Sequence, residues 1–130
     1  MTVQRTELIV GRVLLSFLFF VGCVQKLVDP TPAMILLEGF GLSGFLVWPA
    51  AAFNLVAALL LVSGRYVVPI ARALAAYCLV TSVFHFIPSD GWQMSIFVKN
   101  WAIAGGLLAL SVAEARTADG ITKDSTHGDA

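Results

Sequence analysis

The sequence is poor in charge. Charged residues make up 12% of its 130 residues, whereas a typical soluble domain carries about 25%. Its eight basic and eight acidic residues cancel, so the net charge gives no case for nucleic-acid binding. Hydrophobic residues reach 58%, and a soluble domain of this size has too much surface to cover them. The composition therefore predicts a protein of the lipid bilayer.

Cysteine and histidine are also scarce. Cys23 and Cys78 lie within apolar runs and lack CxxC spacing, so we interpret them as small core residues and leave a disulfide or thiol role open. His85 is the only histidine within an apolar run, which argues against a bis-histidine haem site. No cluster of Cys, His, Asp and Glu has the spacing of a metal site. We therefore predict no catalytic residue, no metal and no intrinsic cofactor.

Four apolar runs are long enough to cross a membrane, for which a helix needs about 20 residues. They cover about 7–28, 45–64, 68–87 and 96–115, with turn-forming residues between them. The first run is expected to remain as a span, since no small-x-small cleavage site follows it. The sequence predicts one all-α domain over residues 1–115, an integral membrane antiparallel four-helix bundle. Residues 116–130 are polar and are predicted to form a disordered tail.

The loops predict how the bundle is oriented. Residues 33–40 are too few to span, so we expect a short interfacial helix between the first and second spans. Six basic residues fall on one side of the predicted membrane (Arg5, Arg12, Arg65, Arg72, Arg116 and Lys123). Two fall on the other side (Lys26 and Lys99). Because lysine and arginine favour cytoplasmic loops, both termini are expected in the cytoplasm, with the protein in the inner (plasma) membrane.

Polar residues near the cytoplasmic ends of the spans are interpreted as structural. Arg12, Arg72 and Glu114 are expected to take part in ion pairs across helices, because an unpaired charge inside a bilayer is costly. Asn54 lies about midway along the second span, where an amide can hydrogen-bond to a neighbouring helix.

A denser polar group is predicted at the opposite face, formed by Gln25, Lys26, His85, Lys99 and Asn100. One interpretation is structural, with nearby carboxylates neutralising the two lysines. The other is a pocket for a quinone head group, whose two carbonyl oxygens need donors at roughly 2.7–3.2 Å. Lysine, histidine and amide side chains supply such donors. The sequence leaves both interpretations open.

Four segments resemble DoxX-type membrane proteins. They are GRVLLSFLFFVGCVQKLVDP, AAFNLVAALLLVSGRY, FHF and FVKNWAIAGGLLAL, and they appear in that order between Gly11 and Ala113. The resemblance implies a four-helix integral membrane protein. The family takes its name from a subunit of a thiosulfate:quinone oxidoreductase, and related members are associated with redox partners.

Carried over by position, the polar residues of the family pattern correspond here to Arg12, Lys26, His85, Lys99 and Asn100. The chain departs from the pattern in the second span, where members commonly carry a glutamate and this chain has Asn54. An amide cannot exchange a proton as a carboxylate does, so proton chemistry at this position does not carry over.

Two functions follow from the residues and the resemblance together. The preferred one is a DoxX-like integral membrane subunit of a quinone-linked oxidoreductase or electron-transfer complex. Its redox cofactors would lie on a partner subunit, and quinone is the one ligand expected in the chain itself. The alternative is a non-catalytic accessory subunit that packs beside a larger membrane complex. Whether the chain has enzymatic activity of its own is left open.

Overall fold

The computed structural model describes residues 2–128, and this part of the chain is helical without strands. Its α helices are α1 (Val3–Val28), α2 (Thr31–Gly39), α3 (Val47–Ser63), α4 (Val67–Ser82) and α5 (Gly91–His127). Short 3-10 helices, Gly44–Leu46 and Val83–His85, lie next to α3 and α4. Four segments are long and apolar enough to cross a membrane: Val3–Val28, Gly44–Ser63, Val67–His85 and Gly91–Thr126. The predicted all-α fold with four spans is confirmed.

Capping side chains set where the long helices begin. Thr2 precedes α1, and its hydroxyl oxygen accepts the backbone N–H of Arg5 at 3.3 Å. Asp90 precedes α5, and its carboxylate accepts the backbone N–H groups of Trp92 and Gln93 at 2.9 and 3.2 Å. These contacts satisfy N–H groups that have no partner within the first turn of a helix.

α3 ends at Gly64, which has a left-handed backbone with φ of 74°. The following N–H, that of Arg65, donates to the carbonyl of Leu60 at 3.1 Å, which closes the last turn of the helix. Glycine adopts this conformation without the steric cost that a Cβ brings. The turn lets α4 begin three residues later and run back along the bundle.

The helices form two closely packed pairs, α1 with α3 and α4 with α5. Arg12, near the start of α1, meets Gly64 at the end of α3, and His85 after α4 meets Gln93 at the start of α5. Both pairs are therefore antiparallel. The pairs contact each other through α3 with α4 and α1 with α5, which gives a bundle of four long helices.

Small side chains fill the centre of the bundle. The buried positions include six alanines and three leucines (Ala51, Ala57, Ala58, Ala71, Ala75, Ala104, Leu61, Leu74 and Leu107). Small residues let membrane helices approach closely. Many other large apolar side chains lie on the outside, and Leu14 and Phe17 are 67% and 65% exposed. Many small residues in the centre and many large apolar side chains on the surface suit a bundle surrounded by lipid.

α2 is the short helix that the sequence predicted between the first two spans, and none of its residues is buried. It contacts the 3-10 helices Gly44–Leu46 and Val83–His85. Phe40, just after α2, packs edge-on against Phe84 with ring centroids 5.1 Å apart. α2 therefore lies across one end of the bundle, next to the loops.

One local expectation differs from the structure. α5 continues through His127, so residues 116–127 are helical where the sequence predicted a disordered tail; residues 129 and 130 lie outside the described chain. No proline interrupts this segment, so the helix can extend beyond the apolar run. Gly105 and Gly106 do not bring α5 close to its neighbours, since a Cβ on either would meet open space. They lie on the outer face of α5.

Candidate functional site

The structure has polar side chains at both ends of the bundle, which we name by their cations. The arginine end holds the start of α1, the α3–α4 turn and the segment of α5 around Glu114. The lysine end holds the end of α1, α2 and the start of α5, with Lys26 and Lys99. The two ends use their cations differently.

At the arginine end, Arg12 and Glu114 form an ion pair between α1 and α5. Arg12 Nη1 donates to Glu114 Oε1 at 3.1 Å, and the two side chains are only 15% and 20% exposed. Within residues 2–128 this is the only ion pair. Arg72, which was expected in the same network, is exposed on α4. The guanidinium group of Arg12 also packs on Gly64, because a Cβ there would lie 3.0 Å from Nη2.

At the lysine end, Lys26 and Asn54 meet over Gly22. Lys26 Nζ donates to the backbone carbonyl of Gly22 at 3.2 Å. A Cβ on Gly22 would lie 3.8 Å from Lys26 Nζ and 3.2 Å from Asn54 Nδ2. The side chains therefore converge from α1 and α3 on one glycine, and we call this pair the Lys26–Asn54 site.

Asn54 has an unused acceptor. The residue is 3% exposed, and its carbonyl oxygen Oδ1 has no hydrogen-bond partner among the described residues. Its amide lies beside the hydroxyl of Tyr77 on α4, and the Tyr77 ring packs against Phe53 with centroids 5.2 Å apart. A buried polar atom without a partner is unusual in proteins and calls for a physical explanation.

His85 lies near the lysine end but has its own partner. Its Nδ1 is 2.6 Å from Gln93 Oε1, so the ring connects the end of α4 to the start of α5. One helical turn deeper, Trp101 Nε1 donates to Ser82 Oγ at 3.2 Å. These contacts join two helices that already pack closely.

The five residues predicted to form one pocket differ in how exposed they are. Lys26 and His85 are half-buried, as is Asn100, whereas Gln25 and Lys99 are exposed. Lys99 lines a shallow cavity of about 460 Å³ with residues on the outer face of α5 alone, Gly91, Met94, Ser95, Val98 and Ala102. At about 100° per residue, Lys99 is about 140° around the helix from Ala104, which is buried. Lys26 is not among the residues that line the Lys99 cavity.

Asp29, Glu38 and Asp90 were the candidate carboxylates to neutralise the lysines, and the first and last of them accept backbone N–H groups instead. Asp29 Oδ1 accepts the backbone N–H of Thr31 at 3.1 Å, and Asp90 caps α5. No carboxylate within the described chain forms an ion pair with either lysine. No group of three His, Cys, Asp or Glu side chains there is placed to hold a metal ion.

Three partners in these contacts were not anticipated from the sequence: Gln93, Ser82 and Tyr77. The position of Gln93 was available in principle, because Asp90 before Gly91 predicts a helix start that puts Gln93 in the first turn. Ser82 and Tyr77 carry no such signal, since the sequence does not show towards which neighbouring helix a serine or tyrosine within an apolar run points.

Four long apolar helices with polar groups gathered near their ends define a multi-pass membrane protein. The DoxX family model matches residues 8–86, which is more than half of the chain. The chain belongs to the DoxX family. The match covers α1 to α4, so the FVKNWAIAGGLLAL segment of α5 lies beyond it. Comparison with curated proteins and with solved structures gave no match.

Proposed function

We propose that this DoxX-family protein is a membrane subunit of a quinone-linked oxidoreductase complex and that the Lys26–Asn54 site binds the quinone head group. The observation that supports it is the buried Asn54 Oδ1, which has no partner in the described chain, beside a lysine amine without a carboxylate. An ionisable residue within a membrane bundle is by default a candidate functional group.

The two side chains suit both redox states of the ligand. An ammonium group carries three N–H donors, and one of those on Lys26 is used by Gly22. The remaining donors can bind a quinone carbonyl oxygen. The free Oδ1 of Asn54 can accept the hydroxyl proton of a quinol in a hydrogen bond. The site can thus hold oxidised and reduced ligand with different atoms of the same pair.

The proposed role is binding rather than electron or proton transfer by the chain. Asn54 stands where family members commonly carry a glutamate, and its amide does not titrate. Electrons would come from a cofactor on a partner subunit. The excess of basic residues at the arginine end supports an inner-membrane orientation with both termini cytoplasmic, which would put the Lys26–Asn54 site towards the opposite face.

Quinone content of the purified chain tests this function. The full chain is extracted in mild detergent, its bound quinone is measured after solvent extraction, and short-chain quinone is then titrated into quinone-free protein. We expect bound quinone in the wild type and at least about a tenfold weaker affinity in Lys26→Met, since a hydrogen bond to a charged group contributes about 1.5–3 kcal/mol.

Lys99→Met is the matched control, because it removes the same charge from the outer face of α5. It should leave the affinity unchanged. If wild-type protein binds no quinone, or if the two lysine variants weaken binding equally, the proposed site is wrong.

A second candidate is the accessory subunit without a ligand, and one feature favours it. The outer face of α5 is uncovered, with Lys99 exposed in its cavity and open space around Gly105 and Gly106. A partner helix with a carboxylate at the level of Lys99 would complement this face. In that case Lys99→Met, and not Lys26→Met, would release the partner subunits that co-purify with the chain.

A further inference from the structure

A second cavity lies at the arginine end, far along α1 from the Lys26–Asn54 site. It is a cleft of about 360 Å³ between the start of α1, the end of α3 and the part of α5 that follows the apolar run. This volume is within the range of small-molecule sites in proteins, about 300–1,000 Å³. We call it the arginine cleft.

The ionisable groups of the arginine cleft carry a net positive charge. They are Arg5, Arg12 and Glu114, so two guanidinium groups face one carboxylate and one positive charge remains. Only Nη1 of Arg12 is engaged by Glu114. The Arg12 Nε is buried and has no hydrogen-bond partner among the described residues.

The hydroxyl groups of the cleft already donate hydrogen bonds to backbone carbonyls of their own helices. The Ser63 hydroxyl donates to the carbonyl of Leu60 at 3.1 Å, and the Thr117 hydroxyl donates to that of Ala113 at 3.0 Å. The donors that remain are those of the guanidinium groups. A cleft whose free donors are all cationic favours an anionic ligand.

Arg12 is held firmly enough to present those donors. Its guanidinium group is packed on the backbone of Gly64 and tied to Glu114 on a different helix. Arginine binds phosphate oxygens through paired, planar N–H groups, and a fixed guanidinium group loses less freedom when it does so.

The remaining walls are apolar. Ile9 of α1 faces Ala118 and Ile121 of α5 across the cleft. Because these residues adjoin the membrane-spanning parts of α1 and α5, the cleft joins the level of lipid head groups to the hydrocarbon. Basic pockets between membrane helices at this depth bind phosphate-containing head groups.

We propose that the arginine cleft binds a phosphate group, from an anionic phospholipid head group or from a free phosphate compound, through Arg5 and Arg12. Glu114 balances one of the two cations and fixes Arg12, so the site accepts one negative charge. The extension of α5 beyond residue 115 closes one side of this site. The inference is independent of the proposed quinone function.

Native mass spectrometry of the full chain in mild detergent tests the lipid source. We expect phosphatidylglycerol to bind about tenfold more tightly than zwitterionic phosphatidylcholine, as a charge-assisted pair of hydrogen bonds allows. Arg5→Gln should abolish this preference, and it leaves the Arg12–Glu114 pair in place. Arg12→Gln should do the same if it folds. Arg72→Gln is the control, because Arg72 is exposed on α4 and outside the cleft.

Thermal unfolding with inorganic phosphate, compared with chloride at equal ionic strength, tests the free-phosphate source. If free phosphate is bound, phosphate should raise the Tm of the wild type and of Arg72→Gln. It should not raise the Tm of Arg5→Gln. Either the lipid preference or the Tm shift, lost in Arg5→Gln and kept in Arg72→Gln, supports the site. Absence of both in the wild type, or equal losses in Arg5→Gln and Arg72→Gln, overturns it.

Discussion

The two ends of the bundle each contain a cation among apolar helices, and they stabilise it in different ways. At the arginine end, Arg12 pairs with Glu114 on another helix. At the lysine end, Lys26 has only a backbone carbonyl one turn back on its own helix, with the Asn54 amide nearby. The first cation links two helices through a carboxylate, while the second has no carboxylate partner among the described residues.

This difference concerns how each cation is balanced. Glu114 neutralises Arg12 within the protein, so the charge that remains for a ligand in the arginine cleft is one of two, shared by Arg5 and Arg12. Lys26 has free N–H donors and no carboxylate partner among the described residues, and the buried Asn54 Oδ1 adds an acceptor. The comparison predicts that breaking the Arg12–Glu114 pair mainly costs stability, whereas disrupting the Lys26–Asn54 site mainly costs quinone binding.

Arg12→Leu should produce the largest loss of stability. It leaves the Glu114 carboxylate largely buried without its partner, and breaking a buried pair from one side costs about 3 kcal/mol. The free energy of unfolding in mild detergent measures this loss. The double variant Arg12→Leu with Glu114→Leu is the control, because it removes both charges and should recover most of the lost stability. A double variant as unstable as the single one would contradict the importance of the pair.

Gly64→Ala should have the next largest effect. A residue with φ of 74° is strained once it has a Cβ, by about 1–2 kcal/mol. The added Cβ would also lie 3.0 Å from the Arg12 guanidinium group, which must then shift from Glu114. Gly41→Ala is a matched control, since Gly41 has the same φ of 74° but open space around its Cβ position. The excess loss at Gly64 over Gly41, measured by thermal unfolding, reports the contact with Arg12. Equal losses would show that the strained backbone alone matters.

The four spans could be predicted from the sequence because length and hydropathy alone determine whether a helix can cross a bilayer. Rotation of each helix about its axis could not be predicted as well. Lys99 and Asn100 are adjacent in sequence, yet Asn100 is half-buried and Lys99 is exposed. Packing on α4 determines which face of α5 points into the bundle. Most side chains of the α5 span are apolar, so their sequence alone does not show which of them face the bundle and which face lipid. Knowing that several polar residues lie at the same depth in the membrane therefore did not show which of them face a common pocket.

Asn54→Leu should have the smallest effect on stability, with a gain in place of a loss. The substitution replaces a buried amide with an apolar side chain of similar size, and it removes a carbonyl oxygen that has no partner in the described chain. Removing an unsatisfied buried polar group recovers about 1 kcal/mol of desolvation free energy. Unfolding is measured on quinone-free protein, so that a bound ligand does not mask the gain.

Ser111→Ala is the control, because Ser111 is also buried but its hydroxyl donates to the carbonyl of Leu108. Removing that satisfied hydroxyl should not raise the stability. If Asn54→Leu instead lowers stability, the amide is holding helices together, as the sequence first suggested. If it raises stability and also abolishes quinone binding, the chain keeps a destabilising side chain in its core because the ligand needs it.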